Sequence, residues 1–196
     1  MLLQLITPPA EEPIALTDVE GQCRITSLSD EASTVNLFIS ACRQRCESIT
    51  KRALVTQSWQ MQIDGFPLGR KPIEIPLPPL QTVDSITYTD QNGDSIVLDP
   101  AYYRVLTGKS DNPQPGCIAP IYGLNWPIAQ RDFATVSISF TCGYEIVPAG
   151  IKQWLLLNVA DMYEQRETIQ VGNRLTVIET TIADGLIEDY RVYGPF

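Results

Sequence analysis

An α+β chain is what this sequence predicts: a helical platform of about four helices from both chain ends, carrying an inserted antiparallel β-rich subdomain. Three observations predict it. Apolar residues recur at helical spacing from Val35 to Ile49 and again from Ile151 to Tyr163. Between these stretches, alternation of apolar and polar residues runs from about Trp59 to Phe140, broken by Gly, Pro and Asn turns. Neither helical stretch has enough apolar face to stand alone, so the two should pack together across the insertion. The resulting division is 1–52 and 144–190 for the platform, 53–143 for the β subdomain and 191–196 for a C-terminal tail.

The first helix is expected to start at Thr17-Asp-Val-Glu20, which has the form of a capping box, and to end near Cys23. Ser29-Asp30-Glu31 announces the second, since a hydroxyl and carboxylates suit the free N–H groups of a helix start. Its apolar face is Val35, Phe38, Ile39, Cys42, Cys46 and Ile49, and Arg43, Arg45, Lys51 and Arg52 lie toward its C-terminal end. In the β zone, Trp59, Met61 and Ile63 alternate with Gln60, Gln62 and Asp64, and Ile73 and Ile75 repeat the pattern. Pro76, Pro78 and Pro79 then withhold three backbone donors, which places that stretch at an edge or in extended polyproline form. Val83, Ile86 and Tyr88 form a strand joined to Ile96 and Leu98 by Asp90-Gln-Asn-Gly93, whose Asn-Gly takes positive φ cheaply. Tyr103 and Val105, then Val136, Ile138 and Phe140, add further strands, and Gly108 to Trp126 reads as a long loop. Trp59 alternates cleanly and reads as core, whereas Trp126 fits core and interface equally. Pro148 suits a first helical position, and Ile151, Trp154, Leu155, Val159, Met162 and Tyr163 make the stripe of the third helix. Gly172-Asn173 breaks that pattern, Leu175 and Val177 are compatible with extended chain, and a last helix is expected from about Ile182 to Tyr190.

Composition narrows the chemistry. The chain has 196 residues, 44% hydrophobic and 19% charged, which is a globular balance. No apolar run approaches the roughly 20 residues that span a bilayer, so no membrane partner is expected. The opening MLLQLITPPAEEP has no basic leader and no adequate apolar signal core, so secretion is not expected either. Five cysteines without framework spacing fit a reducing compartment. Cys42 and Cys46 share a helix face, but with no histidine in the chain core packing is preferred over a metal site. The net charge of −9 argues against a surface that grips nucleic-acid phosphates.

Three local patterns invite a functional reading and fail it. Gly108-Lys109-Ser110 looks like the end of a phosphate-binding loop, yet the required earlier glycine is Tyr103 and a proline-rich stretch follows instead of a helix. Asp90 to Asp94 lacks the alternate-ligand spacing of a calcium loop, and a hairpin turn accounts for it. The absence of histidine removes the Ser-His-Asp triad and the usual general base. No catalytic residue, cofactor or metal is therefore expected.

The ordered series of short motifs does resemble one family. It comprises Leu16-Thr17, Asp30-Glu31, the tract from Glu47 to Trp59, Asp64-Gly-Phe-Pro67, Ile73 to Leu80 and Val83 to Asp90. It continues through Tyr103-Arg-Val105, Tyr122 to Pro127, Phe140 to Tyr144, Val147 to Gln153 and Asp189 to Tyr193. With these stretches the chain resembles the head–tail connector (adaptor or head-completion) proteins of tailed bacteriophages, prophages and gene transfer agents, over nearly its whole length. The resemblance implies a structural virion protein of the neck, assembled in a bacterial cytoplasm. Such a protein forms a ring, dodecameric in the particle, between a portal protein and a stopper or tail-side protein, and DNA passes through the channel without specific binding. The segment from about Leu175 would then reach into the portal, with Tyr190, Arg191, Tyr193 and Phe196 as its contact residues. The Pro-stiffened β block would be a rigid spacer offering edges to neighbours. The alternatives are another neck or tail-completion protein, or a carbohydrate- or peptide-binding β module.

Overall fold

The computed structural model describes residues 1–108, 113–165 and 179–193. Among them are four α-helices and eight strands in two antiparallel sheets, the α+β class the sequence predicts. The chain divides into two compact units. One holds Met1–Ala10 and Val55–Glu145, and the other Glu11–Leu54 together with the described residues from Ile146 onward.

The helical unit contains α1 (Leu16–Cys23), α2 (Ala32–Thr50), α3 (Ala149–Glu164) and α4 (Glu179–Glu188). α2 turns Val35, Ile39, Cys42 and Cys46 inward, and α3 contributes Ile151, Trp154, Leu155 and Val159, all of them expected core positions. α2 ends on Lys51 in the left-handed region (φ 58°), whose N–H returns to the Glu47 carbonyl. The expected capping box at Thr17 is not what starts α1. The helix begins at Leu16, the Ala15 N–H donates to Asp18 Oδ2 at 2.9 Å, and Glu20 instead accepts from the Leu28 N–H at 2.8 Å. Starting two residues earlier puts Asp18, not Glu20, at the third helical position from which a carboxylate reaches back.

The β unit holds sheet A, in the order β1 (Leu2–Thr7), β2 (Gln57–Ile63), β8 (Val136–Cys142), β4 (Leu80–Thr89) and β5 (Ser95–Val97). Sheet B has the order β3 (Ile73–Ile75), β7 (Gly116–Pro120), β6 (Tyr103–Leu106). Across sheet A, Met61 pairs with Ile138 and Ile138 with Ile86, a fully buried row on one face. The opposite face carries Gln60, Ser139 and Ser85 in register, as two-residue alternation requires. The two sheets approach closely at Gly116, where a Cβ would lie 2.3 Å from the Leu80 side chain. Asp90 closes its turn as expected: its carboxylate accepts from the N–H groups of Asn92 and Asp94, and Gly93 takes φ 91°.

Three expectations need correction. Residues 1–10 do not belong to the helical platform, because β1 pairs along β2 from Leu2↔Gln62 to Thr7↔Ser58. Within the expected loop from Gly108 to Trp126, Gly116–Pro120 is the central strand of sheet B, with Ile118 fully buried. Pro76 to Pro79 form the connection between β3 and β4 with a cis Pro78–Pro79 peptide, so they lie outside the strands they separate. The expected extended stretch at Leu175 and Val177 and the break at Gly172-Asn173 lie outside the described residues.

Candidate docking surface at the C-terminal segment

The C-terminal segment is placed by the helical unit. α4 lies against α3 through Ile187, which is fully buried, and through Asp184 Oδ1, which accepts from Trp154 Nε1 at 3.3 Å. The approach is tight at Gly150, where a Cβ would stand 3.1 Å from the Leu186 carbonyl oxygen and 3.5 Å from Tyr190 Cε2. Only a residue without a side chain lets the two helices meet this closely.

Beyond α4 the chain returns to the end of α2. Arg52 is almost fully buried, and its Nε donates to the Tyr190 carbonyl. The Val192 N–H donates to the Thr50 carbonyl at 3.0 Å, and Thr50 Oγ1 in turn donates to the Cys46 carbonyl at 2.7 Å. The same helix end is braced by a buried ionic cluster. Arg43 Nε donates to Glu12 Oε2 at 2.8 Å and Arg43 Nη1 to Glu47 Oε2 at 3.0 Å, while Glu47 Oε1 accepts from the Leu54 N–H at 2.9 Å. Burial works against the Arg43 guanidinium, but the Glu12 hydrogen bond and the Glu47 and Glu12 charges raise its pKa above the ordinary arginine value.

The expected contact residues therefore differ in standing. Tyr190 is half-buried over Gly150. Arg191 is also half-buried, with Nε 3.1 Å from Glu188 Oε2. Tyr193 is 78% exposed, and its hydroxyl donates to Glu188 Oε1. That hydrogen bond is the main cause of a raised Tyr193 pKa, because it favours the protonated phenol. Glu188 thus holds Arg191 and Tyr193 side by side, and Phe196 lies outside the described residues.

A second exposed apolar group, in the β unit, was not anticipated. Trp126 is buried and stacks on Phe66 with centroids 5.0 Å apart, and its Nε1 donates to the Lys71 carbonyl at 2.8 Å. This stack settles Trp126 as core of the β unit and joins the loop after β2 to the loop before β8. On these loops Leu68 is 84% and Tyr122 89% exposed, with Ile128 and Phe133 also largely in solvent. Their sequence signal was weak, because isolated apolar residues in Gly- and Pro-rich loops carry no period. Trp59, expected as core, is half-buried.

Among the described residues no three His, Cys, Asp or Glu side chains gather in a way that could hold a metal ion, and no helix is long and apolar enough to cross a membrane. Cys42 and Cys46 are buried thiols, pushed up to about 11 and about 12 respectively, chiefly by desolvation.

No protein-family model matches the chain, and no curated protein matches it. Solved structures do. The chain superposes on one from the neck of an empty gene transfer agent particle computed with C6 symmetry, with a TM-score of 0.76 and 19% identity. It superposes on a chain of the virion of the native gene transfer agent particle with a TM-score of 0.75, and on one of the native neck computed with C12 symmetry with 0.70, again at 19% identity. In each case all of this chain and 98% of the other are covered. End to end, the chain has the fold of a protein found in the necks of these particles.

Proposed function

We propose that this chain is a structural neck protein, a head–tail connector that forms a ring between a portal protein and a stopper or tail-side protein in a phage-like particle. The observation that carries the reading is the match of all of the chain to 98% of a neck protein, with both units included. Two features of the molecule support it. The C-terminal segment is held by hydrogen bonds of its backbone with the Thr50 carbonyl and the Arg52 side chain and presents Tyr193 to solvent, as a docking segment on a fixed base would. Large apolar residues also stand exposed on a stiff, Trp126-pinned loop pair, the form of a surface made for another protein.

On this reading Tyr190 shapes the base, Arg191 and Tyr193 contact the portal, and Phe196 extends that contact. The ring is dodecameric in the particle, located in the neck after assembly in the bacterial cytoplasm. Its action is fit and symmetry matching with no bond chemistry. The net charge of −9 leaves a channel through which DNA slides without being bound.

The test is co-purification with the portal protein. Removing all of α4 would strip a packed helix from α3, so the informative variants are smaller: a chain ending at Val192, Tyr193→Ser and Arg191→Glu. Each should retain its thermal midpoint and lose most of the portal capture. Undiminished capture by all three would remove the docking role of the segment. Capture by a tail-side protein but never by a portal would favour a different neck component.

A further inference from the structure

The edges of the two sheets are treated differently. Sheet B ends on β3 and β6, and each carries an exposed charge. β3 carries exposed Glu74 between Pro72 and Pro76, and β6 carries exposed Arg104. Charges and prolines of this kind are how an edge strand avoids pairing with another chain. Sheet A ends on β1 and β5, and neither strand contains a charge or a proline. β1 is LLQLIT with Leu2, Leu5 and Ile6 exposed, and all three residues of β5 are exposed, Val97 to 66%. Among the described strands, β1 pairs only with β2 and β5 only with β4.

We propose that these two edges are partners in successive copies of this chain, β5 of one copy lying beside β1 of the next. Every neighbouring pair in sheet A is antiparallel, so β1 and β5, four steps apart, run in the same direction. A rotation about an axis near the strand direction therefore brings one copy's β5 alongside the next copy's β1 as a parallel pair, with Ile96 and Val97 meeting Leu5 and Ile6. Repeating that rotation is a heterologous contact, the kind that closes into a ring. A single foreign strand would cover one edge and leave the other open, whereas a second copy accounts for both. The inference deepens the ring reading above, and it names the surface through which copies join.

The experiment uses the full chain with Ile6→Cys and Val97→Cys, treated with a short bis-maleimide both alone at high concentration and bound to the portal protein. A ladder of covalent multimers beyond dimer is expected in at least one state. Each single substitution, and a chain combining Ile6→Cys with Val97→Lys, should give no more crosslinking than the unmodified chain, whose own Cys23 and Cys117 set the background. Portal capture without a ladder overturns the edge pairing and leaves the neck assignment standing. A ladder without portal capture keeps the edge pairing and removes the portal-connector assignment, and absence of both removes both.

Discussion

The helical unit hides charge, whereas the β unit displays apolar surface. In the first, Arg43 and Arg52 are buried and each is met by an acceptor, Glu12 and Glu47 for one and the Tyr190 carbonyl for the other. In the second, Leu68, Tyr122, Ile128 and Phe133 and the edges of sheet A stand in solvent beside an almost wholly apolar core. The difference teaches where each unit finds its partners. A buried guanidinium leaves its hydrogen bonds unmade unless the fold supplies acceptors, so the interior of the helical unit is complete in itself and makes a firm base, from which Leu37, Ile146 and Tyr193 stand exposed. An exposed leucine or tyrosine on a braced loop is complete only when another surface covers it.

The most damaging way to break this comparison is to destroy the β unit from within. Gly143 sits at φ 124°, a region that residues with side chains rarely adopt, and an added Cβ would stand 2.3 Å from the Val55 carbonyl oxygen. The three nearest contacts, on Val55 and Thr56, are all backbone, so nothing flexible can give way. Gly143→Ala should lower stability by about 4 kcal/mol, adding backbone strain to steric overlap. Urea denaturation followed by circular dichroism would measure it. A loss under about 1 kcal/mol would mean that the loop joining β8 to the next unit is far more adaptable than its close packing indicates.

The corresponding test of the helical unit is Arg43→Ala. It leaves Glu12 and Glu47 without their shared cation at a site where the guanidinium is nearly sealed from water. A cost of about 3 kcal/mol is expected, the usual result of removing one partner of a buried ion pair. The helical signal at low urea should fall before the β signal. A loss no larger than that of an exposed ion pair, about 0.5 kcal/mol, would show that Arg43 is solvated in solution and that the contrast between the units is false.

What could be read from the sequence follows the same divide. α2 and α3 were legible because a helix of several turns repeats its apolar period often enough to be seen above noise, and Val35, Ile39, Trp154 and Val159 fall where that period puts them. β2, β4 and β8 were legible because buried Met61, Ile86 and Ile138 alternate with polar residues. β1 has apolar residues on both faces and hence no alternation to mark it as a strand. β7 was hidden for another reason: GCIAP is bounded by Gly and Pro, turn residues by local chemistry, and becomes a strand only because β3 and β6 lie on either side of it. In the candidate surface, the aromatic residues after α4 were visible as residue types. Their tether was not, because Thr50 and Arg52 reach them across more than a hundred residues of sequence.

Alkali sharpens the comparison from the helical side. Cys42 and Cys46 stay protonated in the folded chain to about pH 11 and about pH 12, against the ordinary thiol value of 9.0. The unfolded thiols therefore lose their protons first. The stability these thiols contribute is fully present below pH 9.0 and is lost as pH rises toward 11 and 12. The thermal midpoint of the helical unit should fall across that window, and Cys46→Ala should flatten part of the fall. At pH 8, a thiol reagent should label half-buried Cys23 and Cys117 well before Cys42 and Cys46. Equal labelling rates in the folded chain would show that the helical core opens readily.

The smallest effect on stability is expected at the sheet edges, and its smallness carries the argument. Ile6 is 53% exposed at a bulge in β1, where the register shifts between Leu5 and Thr7, and it faces no partner strand on its outer side among the described residues. A lysine there removes little buried area and can keep its charge in water, so Ile6→Lys should change the unfolding free energy of the isolated chain by under about 0.5 kcal/mol. Arg43→Ala, by contrast, should weaken the fold yet leave the assembly contact between β edges chemically intact. Measured together by urea denaturation and by sedimentation, the two variants separate folding from association. If Ile6→Lys unfolded the chain, β1 would belong to the core of the β unit, and its apolar edge would need no second copy to explain it.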